Sequence, residues 1–270
     1  MAIFLIILLI VLLFLFLLAL RCRRGNPGLE ALRGWAYAHR GLHGGGIPEN
    51  SMAAFRQALD HGYGIELDIH LLKDGTLAVM HDSALQRTTG QPGQMEDLTA
   101  EDLPRYHLEG TEETIPLFQD VLELYQGKAP LIIELKPQGG NHGALAQAAC
   151  QMMEGYQGAY CMESFDPRCM AWLRKNRPEL VRGQLSEHFR PASVPLPGWL
   201  RFVQTHYLSN FLGVPDFVAY KFADRKDTIS CWVCRHLWGA QGVSWTLKSQ
   251  QEYDQAVKEG WIPIFEGFRP

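Results

Sequence analysis

Three short stretches of this chain gather side chains that can move protons or hold a cation. The first is AHRGLHGGGIPENS, residues 38–51, where His39 and Arg40 precede four glycines, a proline and Glu49. The second is ELDIH, residues 66–70; strand alternation puts Glu66, Asp68 and His70 on one face. Two carboxylates aimed into one mouth repel unless a proton or cation sits between them, and hard oxygen donors suit Mg2+ or Ca2+ better than zinc. The third is PLIIELK, residues 130–136, where Glu134 and Lys136 share a face at the end of an apolar run. A charge there is costly unless it is paired or metal-bound. The competing reading is ordinary ion pairing of Glu134 with Lys136 or Arg40. His81, in AVMHD, joins His39 as a second imidazole able to act as general base or acid near neutral pH. Arg40 offers a planar fork of donors that fits phosphate oxygens. A metal, two histidines and an arginine together point to phosphoryl chemistry. His43, His61, His107, His142, His188 and His236 read as surface or structural residues. Cys231 and Cys234 form a lone C-x-x-C whose context, CWVCRHLW, reads as a helix face.

The elements that must position these residues alternate between β-rich runs and amphipathic helical patterns. Eight strands are expected at 35–40, 64–70, 130–136, 159–164, 180–186, 216–222, 242–247 and 261–266. Helical periodicity marks the stretches between them, as in SMAAFRQALDHG, where Met52, Phe55 and Leu59 share a face and Gly62 stops the helix. Such alternation predicts parallel strands joined by crossovers. Eight units in this length predict an α/β fold, a closed (β/α)8 TIM barrel over 35–270. The interval from strand two to strand three is too long for one crossover. Residues 71–129 are therefore expected as an insertion over one end, holding an extra strand (GTLAVMHD) and the helix LFQDVLELYQG. The eighth strand has no helix after it, and GNPGLEALRG (residues 25–34) is the expected substitute. The stretch 188–199, with three prolines, is the least regular part. Within 195–203, Trp, Phe and Leu side chains are expected in core packing or in a covering loop rather than against lipid.

Residues 2–20 carry no charge, proline or glycine. Nineteen residues in a helix reach about 28 Å, the hydrocarbon thickness of a bilayer. No basic residue precedes this run and no small-residue cleavage site follows, which favours an uncleaved transmembrane anchor over 1–21 with a juxtamembrane linker over 22–34. Arg21, Arg23 and Arg24 follow the span, so a single-pass membrane protein with its body facing the cytoplasm is expected. The formal net charge of −4 argues against a nucleic-acid partner. Six cysteines are too few to suggest a disulfide framework.

HRG…PENS, ELDIHLLKDGTLAVMHD and ELKP, in this order and spacing, resemble the glycerophosphodiester phosphodiesterase family, with weaker echoes in SFDP and VSWTL. The resemblance implies the same barrel with its insertion after strand two. It implies metal-dependent hydrolysis of small or lipid-derived glycerophosphodiesters to glycerol 3-phosphate and an alcohol. Lysophospholipase D-type headgroup cleavage and a non-catalytic, membrane-anchored phosphodiester-binding module are the alternatives. Carried onto this chain, Glu66, Asp68 and Glu134 match metal ligands for one divalent cation, Mg2+ or Ca2+. Glu49 matches a further acid that can ligate or orient the metal. His39 and His81 match catalytic histidines, Arg40 and Lys136 phosphate contacts, and Trp245 an aromatic near the substrate. The nucleophile is water, or the substrate's own glycerol hydroxyl through a cyclic phosphate. Where the family ends in a TD-x-P-like segment, this chain has FEGFRP, offering Glu266.

Overall fold

The computed structural model describes residues 1–191 and 196–270; residues 192–195, inside the irregular 188–199 stretch, lie outside the described residues. Helix α1 (Ala2–Ala19) leads into the strands and helices β1 (Tyr37–His39), α2 (Met52–Asp60), β2 (Gly64–Leu71), β3 (Leu77–Val79), α3 (Gln86–Thr89), α4 (Phe118–Tyr125) and β4 (Leu131–Leu135). There follow α5 (His142–Met152), β5 (Tyr160–Ser164), α6 (Pro167–Asn176), β6 (Arg182–Ser186), α7 (Gly198–Thr205), α8 (Asn210–Gly213) and β7 (Phe217–Lys221). The chain continues through α9 (Ile229–His236), β8 (Gln241–Leu247), α10 (Gln250–Lys258) and β9 (Trp261–Phe265). Every strand expected from the sequence is present.

Eight strands pair in parallel in the order β1-β9-β8-β7-β6-β5-β4-β2, and β1 pairs with β2 to close the ring. Strand β3 adds to β2 antiparallel, with Ile69 opposite Val79. Inward residues are apolar toward the N-terminal ends of the strands. Tyr37, Ile132, Cys161, Phe217, Val243 and Ile262 form one buried cluster. Each Val, Ile or Phe among them, fully buried, contributes about 1.5–3 kcal/mol of transfer free energy. Gly183 makes this filling possible: a Cβ there would stand 2.0 Å from the Phe217 ring. The outer face of the ring packs against the helices in a second cluster that includes Phe55, Tyr125, Leu145, Leu173 and Cys234. Cys231 and Cys234 are buried free thiols on the inner side of α9, as the helix-face reading requires.

Helix α2 shows how locally these elements are written. Ser51 caps it by accepting from Ala54 N at 3.1 Å, Phe55 and Ala58 are buried, and Gly62 takes φ +74° just past the end. The segment between β2 and β4 lies at the C-terminal ends of the strands. It has its own core, including Leu72, Met80, Leu85, Met95 and Ile115. Its last element, α4, joins the outer ring against α2. Helices α7 and α8 were not anticipated between β6 and β7. Trp199 and Phe202 on α7 are 69% and 58% exposed, so they do not take the core packing that was one of the two expectations for this stretch.

The stretch 25–34 does not stand in for an eighth outer helix. It forms a 3-10 turn, Pro27–Leu32, and sends Leu29 and Leu32 into the barrel's interior cluster. Two leucines are better buried inside the open N-terminal end than on a solvated flank. Residues 22–34, expected as a linker, are thereby fastened to the barrel floor. Arg23 forms a bidentate ion pair with the fully buried Asp216 and also donates to the carbonyls of Pro178 and Leu180. Asp216 also accepts from Arg182 N at 2.9 Å.

Asp216→Ala should therefore strip the Arg23 guanidinium of its carboxylate, with only two carbonyls left to it, and leave the Arg182 amide without a partner, at a cost of about 2–4 kcal/mol. A lowered denaturant midpoint with an unchanged slope is the expected result. An unchanged midpoint would mean that the Arg23 clasp contributes nothing to folding.

Candidate active site

The chemistry-bearing side chains lie at the C-terminal ends of the strands, one layer above the apolar interior. Strand register sets them side by side: His39 opposite Glu66, Asp68 opposite Glu134, and Glu134 opposite Glu163. Each of Glu66, Asp68 and Glu134 offers one oxygen within 4.8 Å of the other two, and all three are buried. Lys136 Nζ lies 3.0 Å from Glu134 and 3.4 Å from Asp68; Arg40 Nη1 lies 3.0 Å from Glu49. Asn50 donates to Asp68 Oδ2 at 2.8 Å, while Asp68 Oδ1 and Glu163 Oε2 have no hydrogen-bond partner.

Buried carboxylates outnumber the cations facing them, and their proton affinities register this. Burial, with the charges of Asp68 and its neighbours, pushes Glu66 well above the usual carboxylate range. Burial and Asp68 raise Glu134 to about 7 against the pull of Lys136. Asp68 goes the other way: burial would raise it, but Lys136, His81 and Arg40 hold it far below its ordinary value. Three converging buried oxygen donors, one without a hydrogen-bond partner, fit a hard cation. Glu49 stands apart from this group. It is tied to Arg40 and, at 2.6 Å, to Arg87, and these charges hold its carboxyl down against burial.

Each histidine is oriented by a carboxylate. His39 Nδ1 is 2.6 Å from Glu266 Oε2, which assigns the ring proton to Nδ1 and leaves Nε2 facing the acidic group, 3.9 Å from Glu66. Hydrogen bonding to His39 holds Glu266 down to about 2. Burial, with the charge of Arg40, lowers His39 despite Glu266. His81 Nδ1 is likewise 2.6 Å from Asp82 Oδ1, and Asp82 is in turn paired with Arg87. Burial and the charges of Lys136 and Arg40 lower His81 to about 4. His39 and His81 both therefore present a neutral ring with a free Nε2. Arg40 holds φ +54°, a left-handed conformation uncommon outside glycine, and donates its amide to Glu66 Oε2 at 3.2 Å.

A cavity of about 40 Å3 lies among His39, Arg40, Glu66, His81, Glu134, Glu163 and Trp245. Trp245 meets Phe165 edge-on at 5.7 Å and keeps a buried, unpartnered Nε1. A larger space of about 590 Å3, lined in part by Lys136, adjoins it through Glu134 and Phe165 and reaches α7. Of the residues singled out in the sequence, His39, Arg40, Glu66, His81, Glu134 and Trp245 line the small cavity; Asp68 and Lys136 sit against it, and Glu49 supports it through Arg40. Glu163 was missed, although a charge in the apolar run YCMES was its signal. The Asp82–Arg87–Glu49 chain was missed too, because no periodicity marks it. His70, on the face shared with Glu66 and Asp68, is fully buried and instead bonds Glu96 Oε1 at 2.7 Å. His43, read as a bland residue, lies with His39 and Glu266.

A (β/α)8 barrel with acids and histidines at the strand C-terminal ends is an enzyme-type architecture. Residues 39–264 match the Glycerophosphoryl diester phosphodiesterase family, and the chain belongs to it. It is 37% identical over 155 residues to a Bacillus altitudinis glycerophosphodiester phosphodiesterase, covering 53% of this chain and 63% of that one. It is 34% identical over 133 residues to a rat lysophospholipase D, covering 44% and 41%. The chain thus spans less than two thirds of the length of these relatives. An Oleispira antarctica phosphodiesterase, solved with the product sn-glycerol-3-phosphate, shares the fold with a TM-score of 0.69 at 20% identity, over 86% of this chain and 92% of that one.

If the acidic group holds a divalent cation, a saturating cation should raise the melting temperature, since a ligand at 100 times its Kd stabilises by about 2.7 kcal/mol. Glu66→Gln should abolish most of that rise. The cation-free variant should be no less stable than the parent, because a repelling buried carboxylate is gone. An unchanged cation response in Glu66→Gln would reject the assignment.

Proposed function

We propose that this chain hydrolyses glycerophosphodiesters to glycerol 3-phosphate and an alcohol, using one divalent cation, Mg2+ or Ca2+, held by Glu66, Asp68 and Glu134. The observation that carries this reading is the meeting of that acidic group with two carboxylate-oriented histidines and with Arg40 and Lys136. Family membership supports it. A bound cation supplies Lewis-acid polarisation of a phosphate oxygen and neutralises charge there.

The chain's own residues do the rest. Arg40 and Lys136 bring fixed positive charge to the phosphate, inside a pocket where water screens it poorly. His39 is the better base: its Nε2 lone pair faces the acidic group, and Glu266 stabilises the imidazolium formed when the ring takes the nucleophile's proton. His81, with a side chain 30% exposed at the mouth, is placed to protonate an alcohol leaving toward solvent. It must be charged for this role, and the incoming phosphate anion favours that charge. Trp245 and Phe165 form an apolar wall against the glycerol side.

With glycerophosphocholine as substrate and glycerol 3-phosphate release as the readout, His39→Ala and His81→Ala should each lose about two to four orders of magnitude in kcat. A chelator should abolish turnover. Glu266→Gln should lower kcat and move the acidic limb of the pH profile downward, because the carboxylate is what raises the His39 pKa. Near-full turnover in both alanine variants would overturn the mechanism. Metal-dependent turnover excludes the binding-module alternative.

A second reading, lysophospholipid headgroup cleavage by the same site, is favoured by the 590 Å3 space beside Lys136, whose walls include Leu135, Phe165, Leu200 and Val203. The relation to a rat lysophospholipase D points the same way. Relative kcat/KM for glycerophosphocholine and lysophosphatidylcholine decides between them.

Helix α1 has a mean hydropathy of 3.6 and no residue buried against the protein, so by length and composition it can cross a membrane. We place the barrel on the cytoplasmic side of a single span, from the arginines at 21, 23 and 24. A reporter enzyme fused to the C-terminus and active only outside the cytoplasm would reverse this orientation.

A further inference from the structure

Water-facing sides of outer barrel helices are normally polar. Three consecutive helices break this rule. Helix α7 exposes Trp199 and Phe202, α8 exposes Phe211 and Leu212, and α9 exposes Ile229 and Trp232. Outside α1 and the Met1 that precedes it, only Leu237, just past α9, and Val257 add to these among the described residues. Helices α7 and α9 also meet in space. His206, at the end of α7, bonds Thr228 Oγ1 at the start of α9 at 2.7 Å, and its ring lies tilted against that of Phe202, centroids 4.5 Å apart.

The apolar helix α1 enters the molecule between α8 and α9. Asn210 of α8 reaches both Cys22 and Cys234 at 3.6 Å, and Cys234 of α9 bonds Leu20 O. Trp238 Nε1 donates to Leu17 O at 3.0 Å. Leu20 is fully buried there, whereas residues 1–15 are exposed. The exposed apolar face is thus continuous with the root of the one helix suited to a bilayer.

We propose that the α7–α9 face lies against the bilayer that α1 enters, with Trp199, Phe202 and Trp232 at the level of the lipid headgroups. The proposal rests on α1 being a membrane span. Indole rings favour that depth, where an apolar body meets lipid and the N–H meets water, and a phenyl ring on the same face adds apolar area. Docking of this kind adds buried apolar area to a single anchor and fixes the tilt of the barrel. It also has a consequence for the site. The other side of α7, through Leu200, Val203 and Gln204, walls the 590 Å3 space beside Lys136. A barrel docked this way holds that wall at the lipid surface.

The test uses the full chain reconstituted in phosphatidylcholine vesicles with and without bromine on the acyl chains. Tryptophan emission should be quenched in the brominated vesicles. The double variant Trp199→Gln/Trp232→Gln should lose most of the quenching, and Trp172→Phe, on α6, should keep it. Flotation with the vesicles after an alkaline wash, but with no quenching beyond that of the double variant, overturns the docked face and leaves the span intact. Failure to float overturns the span and the docking with it. Loss of self-association in the double variant without loss of quenching makes the face a contact between copies, and likewise overturns the proposal.

Discussion

The constraint on which the rest of this structure depends is electrostatic. Glu66, Asp68 and Glu134 bring oxygens within 4.8 Å of one another in a buried barrel mouth. At an effective dielectric of about 20, each such pair of charges repels by about 3–4 kcal/mol. Three pairs approach the whole stability of a typical domain, about 5–15 kcal/mol. The fold survives by three devices at once. Lys136 and Arg40 pin Asp68 as the one firmly ionised member. Glu66 and Glu134 rise toward protonation. The donors converge so that one cation can replace the protons. Nothing in barrel packing requires this crowding; the inward positions below it are filled by apolar side chains at no such cost. Crowding retained against its cost is the signature of a functional site.

A second layer of charge holds the first in place. His39 and His81 come from opposite kinds of structure, a three-residue barrel strand and the segment after β3, yet each is fixed through Nδ1 by a carboxylate at 2.6 Å. The segment between β2 and β4 also supplies Asp82, Arg87 and Glu96. Arg87 links the two halves, joining Asp82 behind His81 to Glu49 behind Arg40. Rotating any one of these groups would cost the others their partners, so the site is rigid without relying on the loops' own packing. Glu163, at the neighbouring register position on β5, adds a fourth buried carboxylate whose free oxygen faces the same space.

What was legible in the sequence, and what was not, divides along physical range. Strands such as PLIIELK announce themselves because period-two burial is written into adjacent residues, and Glu66, Asp68 and Glu134 stood out as charges inside apolar runs. Glu163 obeyed the same rule but was flanked by Met162 and Ser164, so its anomaly was weaker. Glu266 was visible as a residue, but its role depends on a partner 227 positions away. The same holds for Asp216, whose ion pair with Arg23 spans 193 positions. The stretch 25–34 was misplaced because its two leucines fit an outer helix and an interior plug equally well. Only the open end of the closed barrel decides between them.

That plug ties the chain's two apparent halves into one mechanical unit. A flexible linker after a membrane span would let the barrel tumble at the end of a tether. Here Leu20 and Cys22 are buried against α8 and α9, Arg23 is clasped by Asp216, and Leu29 and Leu32 fill the barrel floor. Backbone contact reinforces this, with Arg23 N donating to Pro215 O at 2.8 Å. From the end of α1 to the first barrel strand there is almost no free chain. The direction of α1 therefore constrains the direction of the barrel axis, and with it the way the acidic mouth faces. If α1 spans a bilayer, this connection sets the orientation of the mouth to the lipid surface, the condition under which the proposed docked face and a rigid root are both useful.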